Sequence, residues 1–317
     1  MIRFTAIRLI EIVAMLVLMS FVIYALIGLM PGDPIDLMLG ADPHLTAADV
    51  ARLKTLYGVD RPLTERYLAW AHAAFSGDLG YSRLFAAPVV GTLLPRLGNS
   101  LILLGSSFVI AFAAALGLGI AAARRPRSWF DSALNLACFA GISLPTFWLA
   151  LILILVFAQG LGWLPASGMP GAGNAGFADW ARHLTLPVAT LTIANIGGYT
   201  RYVRASMRDA LGQDHIRTAR AKGASEARVV WHHALRGALV PIATILALSF
   251  GTLVSGALVT ETMFAYPGMG KLIFDAVMGN DYNLALAALL LATAVTMFAN
   301  LAADLAYAWL DPRVSYR

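Results

Sequence analysis

The chain has 317 residues, 59% of them apolar and only 13% charged, with a formal net charge of +5. Soluble domains run nearer roughly 45–50% apolar and about 25% charged, so an ordinary soluble protein is excluded and a polytopic membrane bundle is indicated. The positive charge collects in loops and leaves no basic face for nucleic acid, and the single cysteine, Cys138, excludes an internal disulfide and a thiolate metal cluster.

In chain order, the first apolar run is Ile10–Met30. It exceeds the roughly 7–15 residues of a secretory signal core and has no small-x-small cleavage site before Pro31, so an uncleaved span is expected. Residues 31–98 form a long loop that opens on a helix stop, Pro31-Gly32-Asp33-Pro34. Thr46-Ala47-Ala48-Asp49 reads as a helix start running to Gly58. A second helix is expected after Pro62, with Leu63, Tyr67, Trp70 and Phe75 on one face. A lid over span ends and a docking platform for an extracytoplasmic partner fit this loop equally.

Five more runs can span a hydrocarbon core as helices of about 20 residues: Leu101–Ala123, Ala133–Ala158, Leu184–Val203, Ala238–Val259 and Leu284–Leu305. The expected fold is therefore all-α with six transmembrane helices. Ala111, Ala115 and Gly119 recur at four-residue spacing and permit close helix approach, as does Gly197. Pro145 and Pro187 fall inside spans and should kink them, as hinges or as packing features. Basic residues sit at Arg3 and Arg8, at Arg124, Arg125 and Arg127, and at eight positions from Arg201 to Arg236, whereas the alternate short loops hold only Arg182 and Lys271. This pattern places both termini in the cytoplasm. Polar residues within spans are Glu11, Asn135, Asn195, Asn300 and Asp304. Glu11 and Asp304 fall near span ends, where interfacial placement costs least; Asn195 and Asn300 are the candidates for a translocation path.

The most informative loop is 207–237. Ile216, Ala219, Gly223, Ala227, Val230 and Ala234 recur at three- and four-residue steps, a small apolar ridge flanked by Arg217 and Arg228. Alanine and glycine offer too little apolar area to insert into headgroups, so a groove in a partner protein is the expected receiver. Gly223 would break the helix or admit a close backbone. Chemistry of its own is not expected. Gly268-Met269-Gly270-Lys271-Leu272 lacks the first glycine and the hydroxyl of a phosphate loop, and His232-His233 point about 100° apart on a helix.

Ile216-Arg217-Thr218-Ala219-Arg220-Ala221-Lys222-Gly223, followed by His233-Ala234-Leu235-Arg236 and Pro241, resembles the coupling loop of ABC importer permeases. Ala219, Gly223 and Leu235 match the general pattern of that loop. Arg217, Thr218, His233 and Arg236 depart from it toward the dipeptide/oligopeptide/nickel subgroup. Pro31-Gly32-Asp33-Pro34, Gly77-Asp78-Leu79-Gly80-Tyr81-Ser82, Glu261-Thr262, Tyr266-Pro267-Gly268-Met269-Gly270, Asp281-Tyr282 and Asp311-Pro312-Arg313 resemble the same subgroup. The resemblance implies a multi-pass permease of the bacterial inner membrane, paired with a second, homologous permease in a heterodimer. It implies two cytoplasmic ATPases that bind ATP and Mg, an extracytoplasmic solute-binding protein, and no cofactor in this chain. Arg217, Thr218, Ala219, Arg220, Ala221, Lys222 and Gly223 would carry the ATPase contact. The implied cargo is a di- or oligopeptide, with nickel-chelate, glutathione and other peptide-like cargo as alternatives. A secondary transporter, the rival of another class, should show internal repeats and ionisable midplane sites, and no convincing repeat is found.

Overall fold

The computed structural model describes residues 2–29, 61–171 and 176–310. The expected helix start at Thr46, the stop at Pro31–Pro34 and the Asp311–Arg313 motif lie outside them. Helix α1 is Ile2–Gly28, an apolar run without an acidic residue in its first turn or a basic one in its last. Helix α2, Leu63–Phe75, starts behind Pro62, as expected. A two-residue hairpin, β1 (Tyr81–Ser82) and β2 (Ala87–Pro88), then leads into α3, Val89–Arg124.

Helix α4, Trp129–Ser143, is capped by Ser128, whose Oγ accepts from the Asp131 N–H at 3.2 Å. Helix α5 follows as Thr146–Leu153 and widens into a π-helical segment, Ile154–Gly160. The expected single span Ala133–Ala158 is instead two helices bent by 101°. The cause is local. A proline disfavours the α region for the residue before it, and Leu144 is extended (φ −81°, ψ 126°) ahead of Pro145.

Helix α6, Phe177–Leu211, is 35 residues, about 52 Å at 1.5 Å per residue. It runs unbroken through Pro187 and carries helix well past Val203, so the first residues of the 207–237 loop belong to α6. Two short helices follow, α7 (Asp214–Ala221) and α8 (Glu226–Arg228). A π-helical turn, Val229–Ala234, feeds α9, Leu235–Met263. Helices α10 (Met269–Met278) and α11 (Tyr282–Leu310) complete the chain.

Among the described residues three helices are long and apolar enough to cross a membrane, within α1, α3 and α11, or four if the bent α4–α5 pair is one span. Helix α6 packs on α3, α4 and α9, while α11 packs on α9, α1 and α10. Small residues set these seams. A Cβ on Gly119 of α3 would lie 2.7 Å from Val203 Cγ1 of α6, and one on Gly197 would lie 2.6 Å from the Cys138 carbonyl of α4. Neither site admits a larger residue without the helices separating.

Candidate functional site

The α6–α9 loop is built on one glycine. Gly223 adopts φ +79°, the left-handed conformation that L side chains resist. Its N–H donates to the Arg220 carbonyl at 2.9 Å, and the Ala224 N–H donates to the Ala219 carbonyl at 3.1 Å. These two bonds close the end of α7 around a glycine cap and reverse the chain. Across the turn, Arg220 Nε donates to Glu226 Oε1 at 2.8 Å and Nη2 to Oε2 at 3.3 Å. Those bonds hold the Glu226 carboxyl below its ordinary value and push the Arg220 guanidinium above its own.

The inner face of the loop is apolar and closed. Ile216, Val229, Val230 and Ala234 are buried against Ile120 and Ala123 of α3, Val203, Met207 and Ala210 of α6, and Ala238 and Ile242 of α9. The outer face exposes Arg217, Thr218, Arg220, Ala221, Lys222 and Gly223, with Ala219 half-buried. The expected partner-facing ridge is therefore corrected: Ile216, Val230 and Ala234 point into the chain's own bundle. Helical periodicity does not carry across residue 223, where the chain turns back, and the apolar members of the stripe bury at home. Beside the loop lies a cavity of ≈ 400 Å³ lined by Arg124, Arg125, Leu211, Arg220, Glu226 and Val230.

A second set of contacts gathers at the other end of α3. Glu261, fully buried at the end of α9, accepts from Ser100 Oγ at 2.5 Å and from the Lys271 N–H at 3.0 Å. Ser100 Oγ also accepts the Met269 N–H at 2.7 Å. Asn99 Nδ2 donates to the Pro267 carbonyl at 2.8 Å, and Tyr266 Oη donates to the Asn99 carbonyl at 3.0 Å. The glycines make room. A Cβ on Gly268 would stand 2.3 Å from the Glu261 carboxylate, and one on Gly270 would stand 2.4 Å from Leu258 Cα. Nearby, Asp281 accepts from Ser82 Oγ at 2.6 Å and the Leu84 N–H at 2.9 Å, tying the hairpin to the start of α11.

Two family models cover the chain: the binding-protein-dependent transport system inner membrane component over residues 115–316, and its N-terminal counterpart over residues 1–103. The chain belongs to this family of inner-membrane transport components. Relatives of this permease include the oligopeptide transport system permease protein AppB of Bacillus subtilis, 38% identical over 288 residues and 90% of each chain. The di/tripeptide transport system permease protein DppB of Pseudomonas aeruginosa is 37% identical over 318 residues, 93% of each chain. The glutathione transport system permease protein GsiC of Escherichia coli is 35% identical over 317 residues, the full length of both.

Segments that lie far apart in the permease sequence meet in space. Gly77–Ser82 meets Asp281, and Asn99–Ser100 meets the Glu261–Gly270 corner. The two asparagines expected on a path are not joined by any described contact. Asn195 is half-buried in α6 and donates to its own helix at Leu191 O, 2.8 Å, while Asn300 is exposed on α11. Glu11 and Asp304 do come together, each 3.2 Å from Arg8. Sequence reading missed the partnership of Asp131 with Arg204, whose Nη2 donates to Oδ2 at 2.7 Å while Nε reaches Oδ1. It also missed the Glu261 hub as a site. The signal for that hub was an acid at a span end followed by closely spaced glycines, since a buried carboxylate needs backbone donors brought near it.

Proposed function

We propose that this permease is one transmembrane subunit of an ATP-driven ABC importer for peptides, with six spans and both termini in the cytoplasm. The spans are α1, α3, the bent α4–α5 pair, α6, α9 and α11. Support for counting α6 and α9 is their length: 35 and 29 residues reach about 52 and about 44 Å, more than the ~30 Å hydrocarbon core. The partners are a second, homologous permease completing the path, two cytoplasmic ATPases that bind ATP and Mg, and a solute-binding protein on the outer face.

One observation carries the reading. The strip Arg217–Gly223 is exposed, basic and held in a fixed turn, while its underside is packed on α3, α6 and α9 at once. A push on that strip is delivered to three helices together, because close-packed interiors transmit displacement. Peptide cargo rests on the relatives named for oligopeptides and for di- and tripeptides. Glutathione, itself a tripeptide, is the second reading, supported by a relative that aligns end to end.

Purification of the tagged permease from its own membrane in mild detergent should recover a second permease and one or two ATPases. Vesicles reconstituted with that complex should take up a radiolabelled dipeptide only with ATP and the binding protein. Uptake driven by an ion gradient without ATP would replace this reading with a secondary transporter.

A further inference from the structure

A cleft of ≈ 590 Å³ opens between α1, α2, α3 and α11. Its wall includes Ser20, Tyr67, Trp70, Ala71, Leu93 and Ala294. Three of the four helices around it are those long and apolar enough to cross a membrane. The two hydroxyls in its wall satisfy each other, Ser20 Oγ and Tyr67 Oη lying 2.8 Å apart. Tyr67 is further fixed by edge contacts to Phe21 and Tyr24, with ring centroids 5.2 and 5.7 Å apart. The rim is continuous with the exposed apolar surface of two of these helices, where Val17 of α1 is 53% exposed and Leu94 of α3 is 61% exposed.

Such a space is too apolar to hold ordered water, which needs two to four polar partners. Left empty, it would forfeit the dispersion contacts of every atom lining it. Helices that cross a membrane are bathed in hydrocarbon, and alanines along the wall leave a channel suited to a flexible unbranched chain. We propose that this cleft is a binding site for one acyl chain of a membrane phospholipid, held as a resident part of the fold. The inference rests on the membrane location of the chain and on no assumption about cargo or ATPase partners.

The test uses the assembled complex, reconstituted in vesicles of phosphatidylcholine brominated on one acyl chain. Bromine quenches indole emission at contact, and the difference between wild type and Trp70→Phe isolates the Trp70 signal. The expected result is a quenched Trp70. Ala294→Phe or Ala71→Leu, each of which fills the cleft, should abolish that quenching while the complex still assembles. The same variants should lose the phospholipid that wild type retains after detergent washing. Quenching and retention unchanged in both filling variants would mean general annular lipid only and would overturn the proposal. An unquenched Trp70 in the assembled wild type would overturn it too, assigning the cleft to another protein surface.

Discussion

Glu261, a buried carboxylate, organises the corner where α3, α9 and α10 meet. Glu261 accepts from the Ser100 hydroxyl and the Lys271 amide, and Gly268 leaves it room. Ser100→Ala removes one donor and should destabilise the fold by about 1–3 kcal/mol. Gly268→Ala drives a methyl into the carboxylate and should cost a similar amount, about 1–3 kcal/mol, through overpacking. Both are read as earlier thermal unfolding of the detergent-solubilised permease, with Ser106→Ala, a hydroxyl bonded only within its own helix, as the control. Unchanged unfolding in both would mean that the corner is held by apolar packing alone. The Ser100 contact was not visible from residue types, because Ser100 on α3 lies 161 residues from Glu261.

Elements were more legible than the angles between them. Apolar runs locate α1, α3, α9 and α11 because about 20 such residues must either cross lipid or bury. The 101° bend at Pro145 was not legible, since a proline in a span is compatible with a mild kink or a full break and packing on α6 decides. Helix α4 is locked to α6 by Asp131 and Arg204, whose side chains are 4% and 19% exposed. Asp131→Ala strands the guanidinium, and breaking so sheltered a pair should cost up to about 3–5 kcal/mol. Asp131→Leu combined with Arg204→Met should recover much of that loss. A double variant as unstable as the single one would contradict this account. At the loop, the Arg220–Glu226 bonds favour the charged carboxylate and lower its pKa. Their contribution is therefore complete above the ordinary carboxylate value and fades as pH falls through the lowered one. Amide exchange of residues 214–224, corrected for its intrinsic pH dependence, should stay flat from about pH 5 to about pH 8 and rise only under stronger acid. A protection step near neutrality would exclude this pair as the clasp.

At the scale of the whole molecule, the two ends of the bundle are built differently. One end is a polar knot in which hairpin, α3, α10 and α11 are stapled by Glu261 and Asp281. The other is an apolar socket that seats a basic turn on α3, α6 and α9. Force applied to that turn reaches three helices, which is what a subunit driven from outside the membrane requires. The turn at Gly223 was legible in the sequence as a helix break, whereas the loop's docked underside was not, because periodicity cannot report which face a reversed chain buries. The central claim is that the geometry of this turn transmits ATPase motion. The most direct measurement is peptide-stimulated ATP hydrolysis by the reconstituted complex carrying Gly223→Val or Gly223→Asn. A Cβ at residue 223 meets open space, so the penalty is the left-handed backbone alone, about 1–2 kcal/mol for a β-branched residue and less for asparagine. The account predicts that Gly223→Val assembles but loses stimulation, while Gly223→Asn keeps most of it. Full stimulation in an assembled Gly223→Val complex would contradict it.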